Sequence, residues 1–532
     1  MATTSKARTD SGIAPYAGLW DRSAILHLLR RVHFGVVKED IDYYLSKTLT
    51  QSVDDILNID YTPPAPPINN YNDRNTDPNV PAGSSWVNDY NAALNGTRRQ
   101  SYQMWWSGQI INHDRSIREQ MVLFWHNHFA TQTDVVGWAN FCYQNNATLR
   151  KSCLKNFKTL VKDITLDPAM LIFLNGERNT ASAPDENYSR ELQELFTLGK
   201  SLDSQYTESD VISGAKVLTG WRINKQDGTV YFQENRHDTN DKQFSAYYNN
   251  KIIAGKTGPT AGEEELDEML AMIFAQNEVA KFIVRKLYRW FVYYDIDEAT
   301  ENNVITPLAN IFRDSDYEIK PVLEALFRSE HFYDVANRGA LIKSPASFTH
   351  GLIRTYDIVM PQSTEYVTQY SAWGSISNFS RLLQQELGDP PSVSGWPAYY
   401  QLPQYHELWI NSDTLPNRNR ITDILTTNGY NYNGYSLKID AVSFAEKFDS
   451  VSDPNLFIKD LLEFLHTLPA EDAQLAYMKS ILLSGQLEDH YWSDAWNAYI
   501  NDRNNDAKRT VVSQRLSFLL KYLMNLGEFQ LS

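Results

Sequence analysis

Only two cysteines, Cys142 and Cys153, occur in 532 residues. Their spacing matches neither a zinc pattern nor a disulfide framework, so the fold depends on neither. They either pair with each other or sit as two buried free thiols. No run approaches the roughly 18 uninterrupted apolar residues of a membrane span, so none is expected. The N-terminal stretch MATTSKARTDSGIAPYAG has no apolar leader segment and no twin arginine. A cytoplasmic location is the default expectation, with export beside a signal-bearing partner left open. Familiar chemical signatures are missing as well. There is no Walker A loop, no G-x-G-x-x-G after a strand, no G-x-S-x-G elbow and no H-E-x-x-H. Nucleotide binding, serine hydrolysis and zincin proteolysis by those routes are disfavoured. Positive charge is also in deficit. At a net charge of −16 the chain is a poor candidate for nonspecific nucleic-acid binding, and no nucleic-acid partner is expected.

The composition that remains is that of a globular protein, 42% hydrophobic and 21% charged. Aromatic residues are plentiful, with 31 Tyr and 13 Trp, which suits aromatic packing or a stacking surface. The length allows about two to four domains. Helical periodicity dominates, strands are few, and no repeat of fixed period stands out. The fold class expected is mainly α, a large multi-helix fold with long loops and one short β-hairpin. Three regions are expected. Residues 1–95 hold N-terminal helices and a Pro/Asn-rich loop at 61–85. Residues 96–340 form a central core, and 341–532 a C-terminal helical region with a Trp/Pro-rich loop at 388–418.

The segment Asp185–Gly199, DENYSRELQELFTLG, reads as one short helix. Pro184 and Asp185 start it, and Gly199 stands where a left-handed cap belongs. Tyr188, Leu192, Leu195 and Phe196 share one face, and Asn187, Arg190, Glu191 and Glu194 another. Upstream, Ser116 and Glu119 have capping-box spacing ahead of an apolar run ending in WHNHF. His126 and His128 point apart on a continuous helix, since i and i+2 differ by about 200°. Ala147–Thr165 reads as a helix leading into Asp167-Pro168. Thr207 and Asp210 resemble an acidic capping box. The Gly/Asn-rich stretch 222–262 suits a hairpin around Thr229–Phe232 and Ile252–Ile253. Helices at Glu263–Phe274 and Glu278–Tyr294 follow.

These segments together resemble the bacterial family known as domain of unknown function 1800. The resemblance rests on HLLRRVHFG (His27–Gly35), EQMVLFWHNHFAT, NFKTLVKDITLDPAML, DENYSRELQELFTLG, YTESDVISGAKVLTGW, HDTNDKQF, KFIVRKLYRWFV, PPSVSGWP and the closing GEFQL. It covers about residues 20 to 532. The family usually carries a His and a Gly where Ser152 and Lys155 stand here, so a ligand at that His would be missing. The resemblance implies no established activity. It implies, by association only, a partner resembling alkaline phosphatases or sulfatases.

The leading constellation is His126, His128, Asn187, Arg190, Glu191, Glu194, His237 and Asp238. Histidine and carboxylate side chains are the ligands of zinc, iron and manganese, so His126, His128, Glu191, Glu194 and His237 are the candidate ligands of a divalent metal ion. Glu191, Glu194, Arg190, His237 and Asp238 are the candidate catalytic groups, and a buried carboxylate among them could act as acid or base without metal. The alternative is structural: ion pairs around Arg190 and a hydrogen-bonded core histidine at 128. Asp238, Asn240 and Asp241 alternate as calcium ligands do, or form an Asx turn. Lys281, Arg285 and Arg289 make a basic stripe that suits a phosphate, a sulfate or a solvated face. Trp396 and Trp409 either stack on sugar or plug the core. Two functions follow: an enzyme with a His/Glu site doing hydrolytic or oxidative chemistry, or a noncatalytic helical partner of the phosphatase-like neighbour.

Overall fold

The computed structural model describes residues 8–200 and 203–532. Helix accounts for 57% of the chain and strand for 5%, so the fold is mainly α. The helices that position the regions discussed below are α1 (Arg22–Val32), α2 (Asn95–Ile111), α3 (Arg118–His128), α4 (Ala139–Ser152), α5 (Phe157–Thr165), α6 (Pro168–Phe173), α7 (Asn187–Glu191), α8 (Glu208–Val217), α9 (Ala261–Phe274), α10 (Asn277–Phe291), α11 (Pro345–Thr355), α12 (Tyr366–Leu382) and α13 (Asp506–Asn525).

The centre is α3. Every residue from Glu119 to His128 is buried, so this helix has neighbours all round and carries no polar stripe. Helix α4 packs on α2, α3, α5 and α6, and α2 packs on α12. The approach of α2 to α12 needs Gly108, because a Cβ there would lie 2.6 Å from the Trp373 ring. No described helix is long and apolar enough to cross a membrane.

The capping box expected at Ser116 does not form. Ser116 Oγ donates instead to Asp114, the helix begins at Arg118, and Glu119 is drawn to Arg150. The helix expected over 147–165 is two helices, because Asn156 turns back to cap Thr159 N–H and starts α5. The box at Thr207 and Asp210 is present, and Asp210 also accepts from Ser245 N–H at 2.6 Å. The two segments expected to pair as one hairpin belong to separate ladders. Trp221–Ile223 (β1) pairs with Val230–Phe232 (β2), and Lys242–Gln243 (β3) with Ile252–Ile253 (β4). A third ladder joins Tyr430–Tyr432 (β5) to Tyr435–Leu437 (β6). Trp396 and Trp409 are buried, which is the core-plugging arrangement. Both cysteines are buried and unpaired.

The segment 185–199 departs most from a simple helix. After one α-turn, α7, it widens into a π-helix over Leu192–Thr197. Leu198 N–H reaches Gln193 O at 2.9 Å, five residues back, and Thr197 Oγ1 donates to Leu192 O. Gly199 then closes the segment at φ 78° with Phe282 seated against it. The wider turn takes Ser189, Gln193 and Thr197 into the core beside Tyr188, Leu192 and Phe196. Turns of this kind recur at functional sites.

Candidate functional site

The residues singled out from the sequence lie in several distinct environments. His126 is enclosed by aromatic rings, 5.0 Å from Trp106 and 6.1 Å from Trp396 between centroids. Neither of its ring nitrogens meets a hydrogen-bond partner among the described residues, and burial pushes its pKa down to about 3. His128, on the opposite side of α3, donates from Nε2 to Phe196 O at 3.0 Å. Its Nδ1 accepts from Lys286 Nζ at 3.0 Å, and Lys286 also donates to Leu195 O at 3.1 Å. His128 thus ties the π-helix to α10. Burial, and then the Lys286 charge, hold it well below the usual histidine range. Burial likewise brings Lys286 down to about 7.

Arg190 bridges Glu186 at 3.0 Å and Glu208 at 2.8 Å on a half-exposed face. Glu194 pairs with the exposed Lys200 at 2.5 Å. Asn187 is exposed. Glu191 is half-buried, and burial and then Glu194 raise its pKa. His237 sits in a separate buried knot: Nδ1 donates to Thr219 O at 3.0 Å, and Nε2 lies 3.2 Å from Glu265. Lys242 meets the other oxygen of Glu265 at 2.6 Å. Asp238 forms an Asx turn, accepting from Asn240 N–H at 2.8 Å, while Asp241 accepts from Gly255 N–H at 2.9 Å. Among the described residues no group of three or more His, Cys, Asp or Glu side chains is arranged to hold a metal ion. The shared ligand set expected of His126, His128, Glu191, Glu194 and His237 is therefore not assembled. The two α3 histidines diverge, and His237 and Glu194 are each held by a different partner.

A large cavity lies elsewhere. It is a cleft of about 740 Å³ walled by α4, α5, the start of α6, the 60–64 segment, Trp105 and the rim of β2. The Pro-rich loop thus acquires a structural place. Its later part is anchored by Asp77, whose carboxylate receives Arg98 Nη2 and Tyr71 OH, each at 2.8 Å. Trp105 Nε1 donates to Ala65 O at 2.7 Å, which sets the indole beside Tyr61, Pro63 and Pro64. Arg150 on the wall is held bidentate by the buried Glu119, with Nη2 2.7 Å from Oε2, and its guanidinium lies 5.2 Å from the Trp105 ring.

Asp167 is the one carboxyl of the cleft whose chemistry burial has changed strongly. It precedes Pro168 and caps α6, accepting from Ala169 N–H at 3.0 Å and Met170 N–H at 3.2 Å. Asn145 Nδ2 adds a third bond at 3.1 Å. All three end on Oδ1, and no described residue donates to Oδ2. Burial outweighs these donors and pushes the pKa up to about 7. One oxygen is fixed, the other is unused, and the group exchanges its proton near neutrality. That combination suits a general acid or base. The sequence places Asp167-Pro168 between a helix and an apolar segment. It does not show the burial, which arises from tertiary packing.

No curated protein and no solved structure matches the chain. One family model does, over residues 27–531 of the 532, from the HLLRR segment of α1 to the closing FQL. The chain therefore belongs to the family described as protein of unknown function, DUF1800.

Proposed function

We propose that the chain is an enzyme whose acid–base chemistry, hydrolysis foremost, takes place in the cleft beside Asp167. The observation that carries this reading is the Asp167 carboxyl itself, locked at Oδ1, free at Oδ2, and titrating near 7 on the wall of a cleft of about 740 Å³. Asp167 is preferred to Glu194 for the acid–base role because Glu194 is engaged by Lys200. Trp105, Tyr143 and the prolines offer apolar walls to the body of a substrate.

The test is turnover by wild type and Asp167→Asn on chromogenic phosphate, sulfate, carboxylic ester and glycoside substrates. Loss of general acid–base help is expected to cost about 10²- to 10⁴-fold in kcat. Equal turnover by the two proteins would refute the assignment. A second reading, a noncatalytic helical partner, is supported by apolar side chains left exposed near the C-terminus. Leu487, Val511 and Phe518 are 88%, 44% and 61% exposed. Arg515, between the latter two on α13, bonds to Tyr491 O and brings Tyr491 to the same face. Full activity of a Phe518→Glu variant that no longer associates with a partner would assign this face to assembly and leave catalysis to the cleft.

A further inference from the structure

A second, smaller cavity of about 50 Å³ lies between α1, the end of α10, the start of α11 and the 398–409 segment. Arg30, Arg31, Arg289 and Lys343 all line it, no Asp or Glu side chain does, and the acidic group along its wall is the α-carboxylate of Ser532, which lies within ion-pair distance of none of the four. An adjoining cavity of about 50 Å³ shares Arg30, Lys343 and Ser347 with it and has no Asp or Glu in its lining. Four cations round one small space are normally matched by acids, because an unpaired buried charge costs several kcal/mol.

Here the protein supplies backbone carbonyls instead. Arg31 donates to Val292 O at 3.2 Å and Asn337 O at 2.7 Å, and its Nε meets no partner. Arg30 spends one Nη on Glu463 O, Phe464 O and His466 O, while the Glu463 carboxylate pairs with Arg22. Lys343 gives a single bond, to Phe529 O at 2.6 Å. Arg289 gives one from Nε to Tyr294 O at 3.2 Å. Among the described residues none of the four is ion-paired. Arg289 differs in this from its stripe-mates, since Arg285 is held by Glu278 and Glu301 and Lys281 lies 3.7 Å from Glu301. A neutral donor stands beside them. His406 Nδ1 accepts from Ile342 N–H at 3.2 Å, so its proton is on Nε2, a buried atom with no partner. The cations feel one another. Burial and then Arg30 and Arg418 bring Lys343 down to about 7, and burial and then Arg8 bring Arg31 down to about 9.

We propose that this cavity binds a tetrahedral oxyanion, a phosphate or sulfate group, between Arg30, Arg31, Arg289 and Lys343, with His406 Nε2 as a further donor. A space of about 50 Å³ has room for such a group and little more. Guanidinium forks suit its oxygens. The bound anion would supply the counter-charge that the single Ser532 carboxylate leaves unmet, and fasten α1 to α10 and α11. The site is separate from the cleft at Asp167 and does not depend on its chemistry.

The test is thermal melting and titration calorimetry of the full-length protein with inorganic phosphate, against chloride at equal ionic strength. About 10 mM phosphate is expected to raise the melting temperature by about 2–4 °C, and chloride to leave it unchanged. Methyl phosphate is the second probe. A matching shift means that the site accepts the group at the end of a larger molecule, and a response to inorganic phosphate alone means the free ion; both support the proposal. Arg31→Met and Lys343→Met should lose the shift, and Lys343→Arg should keep it. In phosphate-free buffer Lys343→Met should melt no lower than wild type, because it removes a repelled charge. If Arg31→Met fails to fold, Lys343→Met carries the comparison. No shift with either probe, or an undiminished shift in Lys343→Met, would overturn the proposal and leave the cations as carbonyl anchors.

Discussion

Asp167 shows how one buried side chain ties stability to pH. Its carboxyl titrates near 7 in the folded chain because burial disfavours the anion. In an unfolded chain an aspartate titrates at about 3.9. Between those values the folded state holds a proton that the unfolded state has released, so stability falls as pH rises through this window. Asparagine keeps an Oδ1 to accept from Ala169 and Met170 N–H and has no proton to lose. Asp167→Asn is therefore expected to gain on wild type by roughly 2–4 kcal/mol between pH 4 and pH 8. Urea unfolding at both pH values measures the difference, and a pH-independent difference would show the carboxyl to be ordinary. The sequence offers only the Asp-Pro pair between a helix and an apolar segment, while the burial that raises the pKa, against the opposing bond from Asn145, is set by packing. Lys286 was hidden for a similar reason. It falls outside the Lys281, Arg285, Arg289 spacing, and only packing against His128 makes it distinctive.

Among elements, a buried bidentate ion pair ties α3 to α4. Glu119 and Arg150 are both buried and meet through both oxygens and both Nη atoms. Glu119→Gln would leave a buried guanidinium without its counter-charge, and a loss of about 3–5 kcal/mol is expected from denaturant unfolding. The pair Glu119→Leu with Arg150→Met should recover most of it, since the desolvation cost disappears with the charges. A double variant as unstable as the sum of the singles would mean that the two residues act independently. This bond also explains one misread boundary. Ser116 and Glu119 have capping-box spacing, but an ion pair to a distant helix outcompetes a local cap. The π-turn at 192–197 was illegible for a related reason. Its residues have ordinary α periodicity, and the i+5 bonds bury Gln193, whose Oε1 accepts from Tyr248 OH at 2.7 Å.

At the scale of the molecule, periodicity is enough to read a mainly α chain, because it reports each helix against its own surroundings. It cannot report which helices share a core. One continuous apolar cluster runs from Ala24 to Phe529 and joins all three stretches into which composition divides the chain. The joins are specific. His27 of α1 reaches Phe332 O at 2.9 Å, Arg31 reaches Asn337 O at 2.7 Å, and Gly108 of α2 takes Trp373 of α12 against its backbone. A fragment of residues 96–340 would therefore lose α1 from one side and α11 and α12 from another, exposing apolar surface that the full chain buries. The full chain is expected to unfold in one transition, with far-ultraviolet dichroism and tryptophan fluorescence coincident. The fragment is expected to lose structure over a broad range of urea with a reduced m-value and to bind a hydrophobic dye before unfolding. A fragment that melts sharply without dye binding would make 96–340 a domain in its own right, with α1, α11 and α12 docked on a core that needs none of them.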